Sequence, residues 1–164
     1  MSTETVKPHL TREWAENNLR LFSVSADDVI AQWADEVMFE DPILEQVHHD
    51  REVLRQSFIR YSNKDPENGI GIHTFTVEEF LSEPGQNPIV YRWKWVLKHA
   101  SDFLGVPTNG KTIVTTGVNI DWFDDDGKVV REVAYWDFVK PALDLGLPVL
   151  NSEYWEEEAK EQQK

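Results

Sequence analysis

The spacing of hydrophobic and polar residues changes character near the middle of the chain. Before about residue 61, apolar side chains recur mainly at helical spacing, and beyond residue 71 they mainly alternate. A first helix is predicted to begin near Thr11. Ser25 and Asp28 form a capping-box pattern for a short second helix, and Asp50 is a candidate N-cap for a third. The first part of the chain is therefore mainly helical.

The second part predicts a run of antiparallel strands. Residues 72–81 alternate roughly, residues 89–99 alternate well, and residues 111–123 and 128–138 form two further strands. The sequence at 124–127, three Asp followed by Gly, is a hairpin turn signal. Helices followed by antiparallel strands indicate an α+β domain in which helices cover one face of a curved sheet and leave a pocket between them.

Two short elements and the ends complete the picture. Residues 37–41 alternate as a strand that stops at Pro42, and a short closing helix is predicted around residues 142–145. We expect a single domain over residues 1–150. Residues 151–164, rich in Glu, Lys and Gln, are expected to be an acidic tail, as a frayed helix or a solvated arm.

The composition narrows the classes of partner. The formal net charge is −14 at pH 7, and such an acidic surface repels nucleic acid and anionic lipid. There is no Cys, which excludes thiolate catalysis and disulfides. The first ten residues lack the apolar core of a signal peptide, and no apolar run is long enough to span a bilayer, so a cytoplasmic protein is expected. Seven Trp and eight Phe suffice for a core and a pocket wall.

Familiar cofactor motifs do not occur in the sequence. The chain has neither a phosphate-binding loop, nor a dinucleotide fingerprint, nor a GxSxG motif. His48, His49 and Asp50 are adjacent, so their side chains point apart and make a poor metal site. We therefore expect no cofactor and no metal.

Three ionisable residues lie in apolar surroundings, and each has a functional and a structural interpretation. His99 ends the strand face that carries Trp93 and Trp95, where it could instead bond a backbone carbonyl. Asp137 shares a predicted face with Tyr135, but it could cap the closing helix.

The third residue is Asp41, which shares its face with Val37 and Phe39 and precedes Pro42. It could initiate a turn or face the pocket. Spacing leaves these alternatives open for all three residues.

A set of landmarks resembles the SnoaL-like family. The segments 33–42 and 50–58 are similar to its opening half. The later landmarks follow in order: His99, 103–107, 110–111, Gly117, 126–129, Glu132, 135–137 and 145–146. The resemblance covers residues 11–147. Two departures are Val133 and Ala134 after Glu132, and Ala100-Ser101-Asp102 after His99.

The resemblance implies a nuclear-transport-factor-2-like cone of sheet and helix around a pocket. It also implies cofactor-free ring closure of a polyketide by an aldol reaction, in the lyase or isomerase class. In this reading Asp137 is the general acid/base and His99 the pocket histidine. The pocket wall is predicted to contain Phe39, Trp93, Trp95, Asn119 and Tyr135, and its ligand to be a small hydrophobic or aromatic carbonyl compound.

Related folds supply alternatives. A ketosteroid-isomerase-like enzyme would use Asp41 as the base, but its oxyanion donors are missing near Asn17 and Val118 or Asn119. A relative of limonene-epoxide hydrolase would need an acid at Ala134, and Arg92 is followed by Lys94 where an acid is required. A non-catalytic ligand-binding domain is the third alternative, although an enzyme is favoured.

The outer face of the sheet predicts a homodimer, because its apolar residues are of the kind that a partner covers. They are Val90, Val96, Val114, Val118 and Trp122.

Overall fold

Three helices form the layer that covers the sheet. In the computed structural model, which describes residues 7–63 and 71–148, α1 spans Arg12–Val24, α2 spans Ala26–Ile30 and α3 spans Arg51–Ile59. Each begins where the sequence predicts, and α2 and α3 have the predicted caps. The side chain of Thr11 accepts from the Trp14 amide, and Ser25 accepts from the Asp28 amide. The Asp50 side chain accepts from the Glu52 and Val53 amides, so these two donors of the first turn of α3 are not left unpaired.

Six strands form one curved sheet. They are β1 (Trp33–Asp41), β2 (Gln46–His48), β3 (Ile72–Phe80), β4 (Ile89–Lys98), β7 (Ile113–Phe123) and β8 (Val129–Trp136), in the order β2-β1-β8-β7-β4-β3. A small hairpin, β5 (Asp102–Phe103) and β6 (Val106–Pro107), lies between β4 and β7 along the chain, and α4 (Val139–Asp144) follows β8.

The expected α+β fold with a curved sheet is confirmed, with one difference in strand direction. All neighbouring strands of the sheet are antiparallel except β1 and β8, which are parallel. The last strand is inserted between β1 and β7, so the first and last strands of the chain are neighbours in the sheet. Alternation alone carries no information on strand direction, which depends on the whole connection.

The core lies between the concave face of the sheet and the helices. Trp33, Tyr91 and Phe103 are buried on one side, and Leu54 and Phe58 of α3 pack from the other. Leu54 is completely buried, so its replacement by Ala would cost about 2–5 kcal/mol. This layer fixes the depth of the space that remains between helices and sheet.

A β-bulge in β8 changes which side chains face that space. Phe123 pairs with Val129 but Trp122 pairs with Arg131, so Val130 is an extra residue. An extra residue reverses the alternation downstream because side chains have a period of two. After the bulge the inward side chains are those of Glu132, Ala134 and Trp136.

Gly117 permits a close approach within the sheet. A Cβ atom there would lie 2.3 Å from the Trp93 ring and 2.6 Å from the Tyr135 carbonyl oxygen. Only Gly leaves room for the indole at this position, from which its Nε1 donates to Asn119.

Some expectations fall outside these observations. The acidic tail, residues 151–164, lies outside the described residues, and the domain boundary at residue 150 stays a prediction. Among the described residues, no helix has the length and apolarity to cross a membrane.

Candidate functional site

A cavity opens between the concave face of the sheet and the helices. Its volume is about 800 Å³, counted with its mouth. Its wall is mostly aromatic, from Phe22, Phe39, Phe58, Tyr61, Phe75, Trp93, Trp95 and Trp136. Its polar lining comes from Asn18, Asp41, Gln46, Ser57, Asn119 and Glu132. A largely apolar pocket with a few convergent polar groups is the usual form of a small-molecule site.

The aromatic wall is held by ring contacts. Trp95 stacks on Phe75 with ring centroids 5.4 Å apart and an interplanar angle of 13°. Trp136 meets Trp95 edge-on at 6.3 Å, and Phe103 packs against both rings. Such interlocked rings have few alternative rotamers, so the wall presents fixed surfaces to a ligand.

Asp41 ends β1 inside the cavity and is almost fully buried. Trp136 Nε1 donates to its two carboxylate oxygens at 3.2 and 3.0 Å. The backbone amides of Ile43 and Leu44 donate to Oδ1, each at 3.0 Å. Asp41 therefore both initiates the turn after β1 and presents a fixed carboxylate to the cavity, so its two sequence interpretations coincide.

Glu132 lies on the neighbouring strand β8, where it pairs in register with Phe39 of β1. It is 6% exposed, and Asn119 Nδ2 donates to its Oε1 at 2.9 Å. Burial raises the pKa of the Glu132 carboxyl well above its usual range, and the negative charges of Asp121 and Asp41 raise it further. Both effects favour the protonated, neutral form of Glu132.

Asn119 lies at the centre of the polar network and is hydrogen-bonded to three other side chains. Trp93 Nε1 donates to its Oδ1 at 2.7 Å, and an indole N–H can only donate, so the orientation of the amide is settled. Its Nδ2 then donates to Glu132 and, at 3.3 Å, to the Tyr91 hydroxyl oxygen. The same hydroxyl oxygen accepts from Asn18 Nδ2 at 3.4 Å.

Asp121 lies behind Glu132 and does not line the cavity. The two residues are direct partners in the register of β7 and β8, and Asp121 is completely buried. Burial raises the pKa of Asp121 to about 7, partly offset by hydrogen bonding from Tyr91 and Glu132. Two carboxyl groups thus share one buried space.

His73 is a second buried titratable residue, and it too lies outside the cavity lining. Trp95 Nε1 donates to its Nδ1 at 3.0 Å. Its backbone N–H donates to Asn63 Oδ1, and its carbonyl accepts from Asn63 Nδ2, both at 2.9 Å. Burial lowers the pKa of His73 to about 4, so the ring is neutral at neutral pH.

His99 lies outside the cavity. The other residues of its predicted face, from Ile89 to Leu97, are buried as expected. The strand ends at Lys98, and the backbone of His99 is left-handed with φ of 57°. The expected inward orientation of His99 is therefore wrong, because the chain turns away one residue before it; the side chain is exposed.

Asp137 and Tyr135 face outward. Tyr135 is 50% exposed, and Asp137 is exposed with its Oδ1 accepting from the Lys140 amide at 3.1 Å. The expected inward orientation of both is wrong, because the bulge at Val130 reverses the alternation of β8. Asp137 stabilises the start of α4, which was its structural interpretation in the sequence.

The remaining sequence candidates lie at the cavity. Phe39, Trp93, Trp95, Asn119 and Asp41 all line it. Sequence reasoning gave no site role to Glu132, Asp121 or Tyr91. The available signal was the phase of β7, in which Asp121 alternates with Asn119 and Phe123 as an acid on an otherwise inward face. Within residues 7–63 and 71–148, no group of three or more His, Asp or Glu is arranged to hold a metal ion.

Comparison with solved structures finds the same fold. AclR, a putative hydroxylase from Streptomyces galilaeus, is 17% identical with a TM-score of 0.65, covering 92% of this chain and 89% of that one. A putative SnoaL-like polyketide cyclase from Shewanella denitrificans is 14% identical with a TM-score of 0.69, covering 85% of this chain and 98% of that one. SalBIII, an epoxide hydrolase/cyclase-like enzyme of pyran ring formation in salinomycin, is 13% identical with a TM-score of 0.61, covering 79% and 92%.

Sequence comparison gives the family. No curated protein matches the chain significantly. The family model described as SnoaL-like polyketide cyclase matches residues 26–145, which is most of the chain and includes all the strands of the cavity wall. The chain therefore belongs to the SnoaL-like polyketide cyclase family.

Proposed function

We propose that this protein is a cofactor-independent acid/base enzyme that enolises a small, mainly apolar carbonyl compound. One observation carries the proposal: the cavity wall presents two carboxyl groups prepared for opposite tasks. Asp41 accepts three N–H donors, whereas the burial of Glu132 favours its protonated form. Paired carboxyls whose environments differ in this way divide the roles of base and acid between them.

The chemistry follows from the two roles. Asp41 takes a proton from the carbon next to the substrate carbonyl. The Glu132 hydroxyl donates a hydrogen bond or its proton to the carbonyl oxygen, which becomes an enol. When the enol carbon attacks a second carbonyl, the first carbonyl re-forms and the enol hydroxyl returns its proton to Glu132. The new alkoxide takes the proton that Asp41 removed, so the ring closes with both carboxyl groups restored and no proton lost or gained.

Ring closure is favoured over other outcomes by the family and by the cavity wall. The stacked rings of Trp95 and Phe75 offer a flat surface for a planar or folded substrate. A surface that holds both reacting carbons of one molecule close together lowers the entropic part of the barrier to ring closure. An aromatic polyketide-like compound fits this description.

Isomerisation is the second candidate, and a specific observation supports it. The sequence offers no oxyanion donor at the expected positions, but Glu132 supplies a protonated carboxyl beside Asp41. With a base and a neutral acid in place, the enol could be protonated at a different carbon. The two reactions share their first step and differ in the fate of the enol.

The decisive experiment measures that first step. A thermal-shift screen of aromatic polyketides, steroids and terpenoids selects a ligand, and NMR then follows exchange of its α-protons in D₂O. We expect Asp41→Asn to slow exchange about 10²–10⁴-fold with little change in ligand affinity. The matched control is Asp137→Asn, expected to exchange within a few-fold of the unmutated protein.

Two outcomes would contradict the proposal. If Asp137→Asn abolished exchange while Asp41→Asn retained it, the family assignment of Asp137 and His99 would hold and Asp41 would be structural. If the unmutated protein bound its ligand but catalysed no exchange, the domain would be a binder.

We also propose a homodimer through the outer sheet face, where Val90, Val96 and Trp122 are only half-buried in the single chain. Light scattering at micromolar concentration is expected to give twice the chain mass of 19.1 kDa. A monomer mass would contradict it.

A further inference from the structure

The Asp121 carboxyl has an unmet need for a donor. No N–H group of the described residues donates to either oxygen of the Asp121 carboxyl, although the group is completely buried. An unpaired buried carboxylate is among the most costly features of a fold. The missing donor must therefore come from the side chains that face it, and these are Glu132 and Tyr91.

The hydrogen-bond directions supply both donors. Asn119 donates to Glu132 Oε1, so the proton of Glu132 belongs on Oε2. The Tyr91 hydroxyl oxygen accepts from two amides, which leaves its own proton to be donated. Directed at Asp121, these two protons satisfy both of its oxygens, and each group of the network then has one consistent role.

We propose that, before substrate binds, Asp121 is a positioning residue that holds the proton of Glu132, accepting the hydrogen bond of its hydroxyl group from behind the cavity wall; during turnover the hydroxyl turns to the substrate oxygen. The inference rests on the proposed function for its catalytic meaning, but not for its structural content. Once Glu132 has given its proton to a substrate, it would stand as a second negative charge beside Asp121. Repulsion between them restores the proton and resets the acid for the next turnover.

Few other titratable groups surround the pair formed by Asp121 and Glu132. The titratable groups that face it are Tyr91 from β4 and Asp41 from β1, and α1 contributes only the neutral Asn18. Neither Asp121 nor Glu132 forms an ion pair with a Lys, Arg or His of the described residues. Without a cation nearby, a shared proton is what makes the buried pair tolerable.

The first test observes the proton itself, in the full chain without ligand. Side-chain carboxyl carbons are ¹³C-labelled and titrated by NMR in the unmutated protein, in Asp121→Asn and in Asp125→Asn. Asp125 is a fully exposed acid in the adjoining hairpin turn and is the matched control. We expect the Glu132 midpoint to fall by about one pH unit or more in Asp121→Asn and to stay unchanged in Asp125→Asn.

The second test covers the case in which Asp121→Asn does not fold. Gln at position 132 would reproduce the protonated acid, with its oxygen accepting from Asn119 and its amide donating to Asp121. Glu132→Gln is therefore expected to match the unmutated melting temperature at pH 6 and to exceed it at pH 9. A lower melting temperature at both pH values would overturn the inference.

The two proposals fail separately. If Glu132 titrates as expected but Asp121→Asn and Glu132→Gln both retain α-proton exchange, the proposed function is wrong and the proton-holding pair stands. If the Glu132 midpoint is the same with and without Asp121, the inference is wrong, whatever the activity. If both hold, Asp121→Asn should lower kcat, leave KM nearly unchanged and move the alkaline limb of the pH–rate profile to lower pH.

Discussion

The carboxyl pair and His73 are all buried on the same sheet, but they differ in the chemistry that they can perform. Asp121 and His73 are both at most 1% exposed. Burial shifts the pKa of each toward the neutral form, upward for the acids and downward for the imidazole. The pair reaches the cavity through Glu132, whereas His73 does not line the cavity and its ring contacts Trp95, Tyr61 and Phe75.

This difference shows that a shifted pKa is not by itself a sign of catalysis. His73 has its Nδ1 occupied by an indole donor and no opening to the ligand space, so its shift records only the cost of burial. Glu132 has a comparable environment, but one edge of it lines the cavity. Access and a proton partner separate a working acid from a buried structural residue.

The largest expected effect is on kcat, which should distinguish Glu132 from His73. Glu132→Gln removes the proton but preserves shape, and we expect kcat to fall about 10²–10⁴-fold. His73→Asn keeps an acceptor for Trp95 Nε1 and should leave kcat within about threefold, since the change lies outside the cavity. Steady-state kinetics on the same ligand decides. Equal losses in the two variants would mean that the buried sites are not functionally distinct.

The next effect is the loss of stability that Asp121 of the carboxyl pair causes as pH rises from 3.8 to about 7. The folded state raises the pKa of Asp121 from 3.8 to about 7, so the folded state binds more protons than the unfolded chain between these values. Its contribution is present below pH 3.8 and is lost as pH rises to 7, on the order of 4 kcal/mol.

Urea unfolding at several pH values measures this loss. Asp121→Asn should flatten the dependence, because Asn does not titrate. A dependence that is unchanged in this variant would place the effect elsewhere.

His73 should contribute with the opposite sign. Its folded pKa is lowered from 6.5 to about 4, so the unfolded chain binds the extra proton. Stability from this residue is present above pH 6.5 and is lost as pH falls to 4, by about 3 kcal/mol. The same unfolding series on His73→Asn should show a smaller acid-side loss. If acid sensitivity persisted in full, His73 would not be its source.

The smallest expected effect comes from a packing change at Gly117, which should disturb the carboxyl network and leave His73 unaffected. Gly117→Ala would push the Trp93 ring away from Asn119, because the new Cβ overlaps the ring and cannot shift past the Tyr135 carbonyl. We expect a destabilisation of about 1–3 kcal/mol and a reduced kcat. The His73 imidazole signals in NMR should titrate as in the unmutated protein. Altered titration of His73 would show that the two regions are mechanically coupled.

Much of the fold can be predicted from the sequence because its signals are local. The side chains of Thr11, Ser25 and Asp50 cap their helices by accepting from backbone amides two or three residues further along the chain. Asp41 faces inward because β1 alternates without interruption from Val37. In such cases the periodicity and the cap residues carry the whole argument.

The site could not be predicted where a single residue changes the alternation of side chains along a strand. The bulge at Val130 turned Asp137 outward and Glu132 inward, and nothing in the composition of β8 marks it. His99 was misplaced because its strand ends one residue early. The pairing of Asp121 with Glu132 requires the register of two strands, which depends on the turn between them and on the packing of both faces.

The parallel pairing of β1 with β8 has a consequence for how the protein acquires activity. Asp41 and Glu132 stand on strands that meet only after the intervening chain, roughly ninety residues, has been arranged. Contacts this distant in sequence are the slowest to form, because the chain loses the entropy of loop closure before the contacts contribute any favourable free energy. An incompletely synthesised or half-folded chain would hold neither a complete cavity nor an acid beside a base. Recovery of α-proton exchange during refolding should therefore coincide with the last kinetic phase.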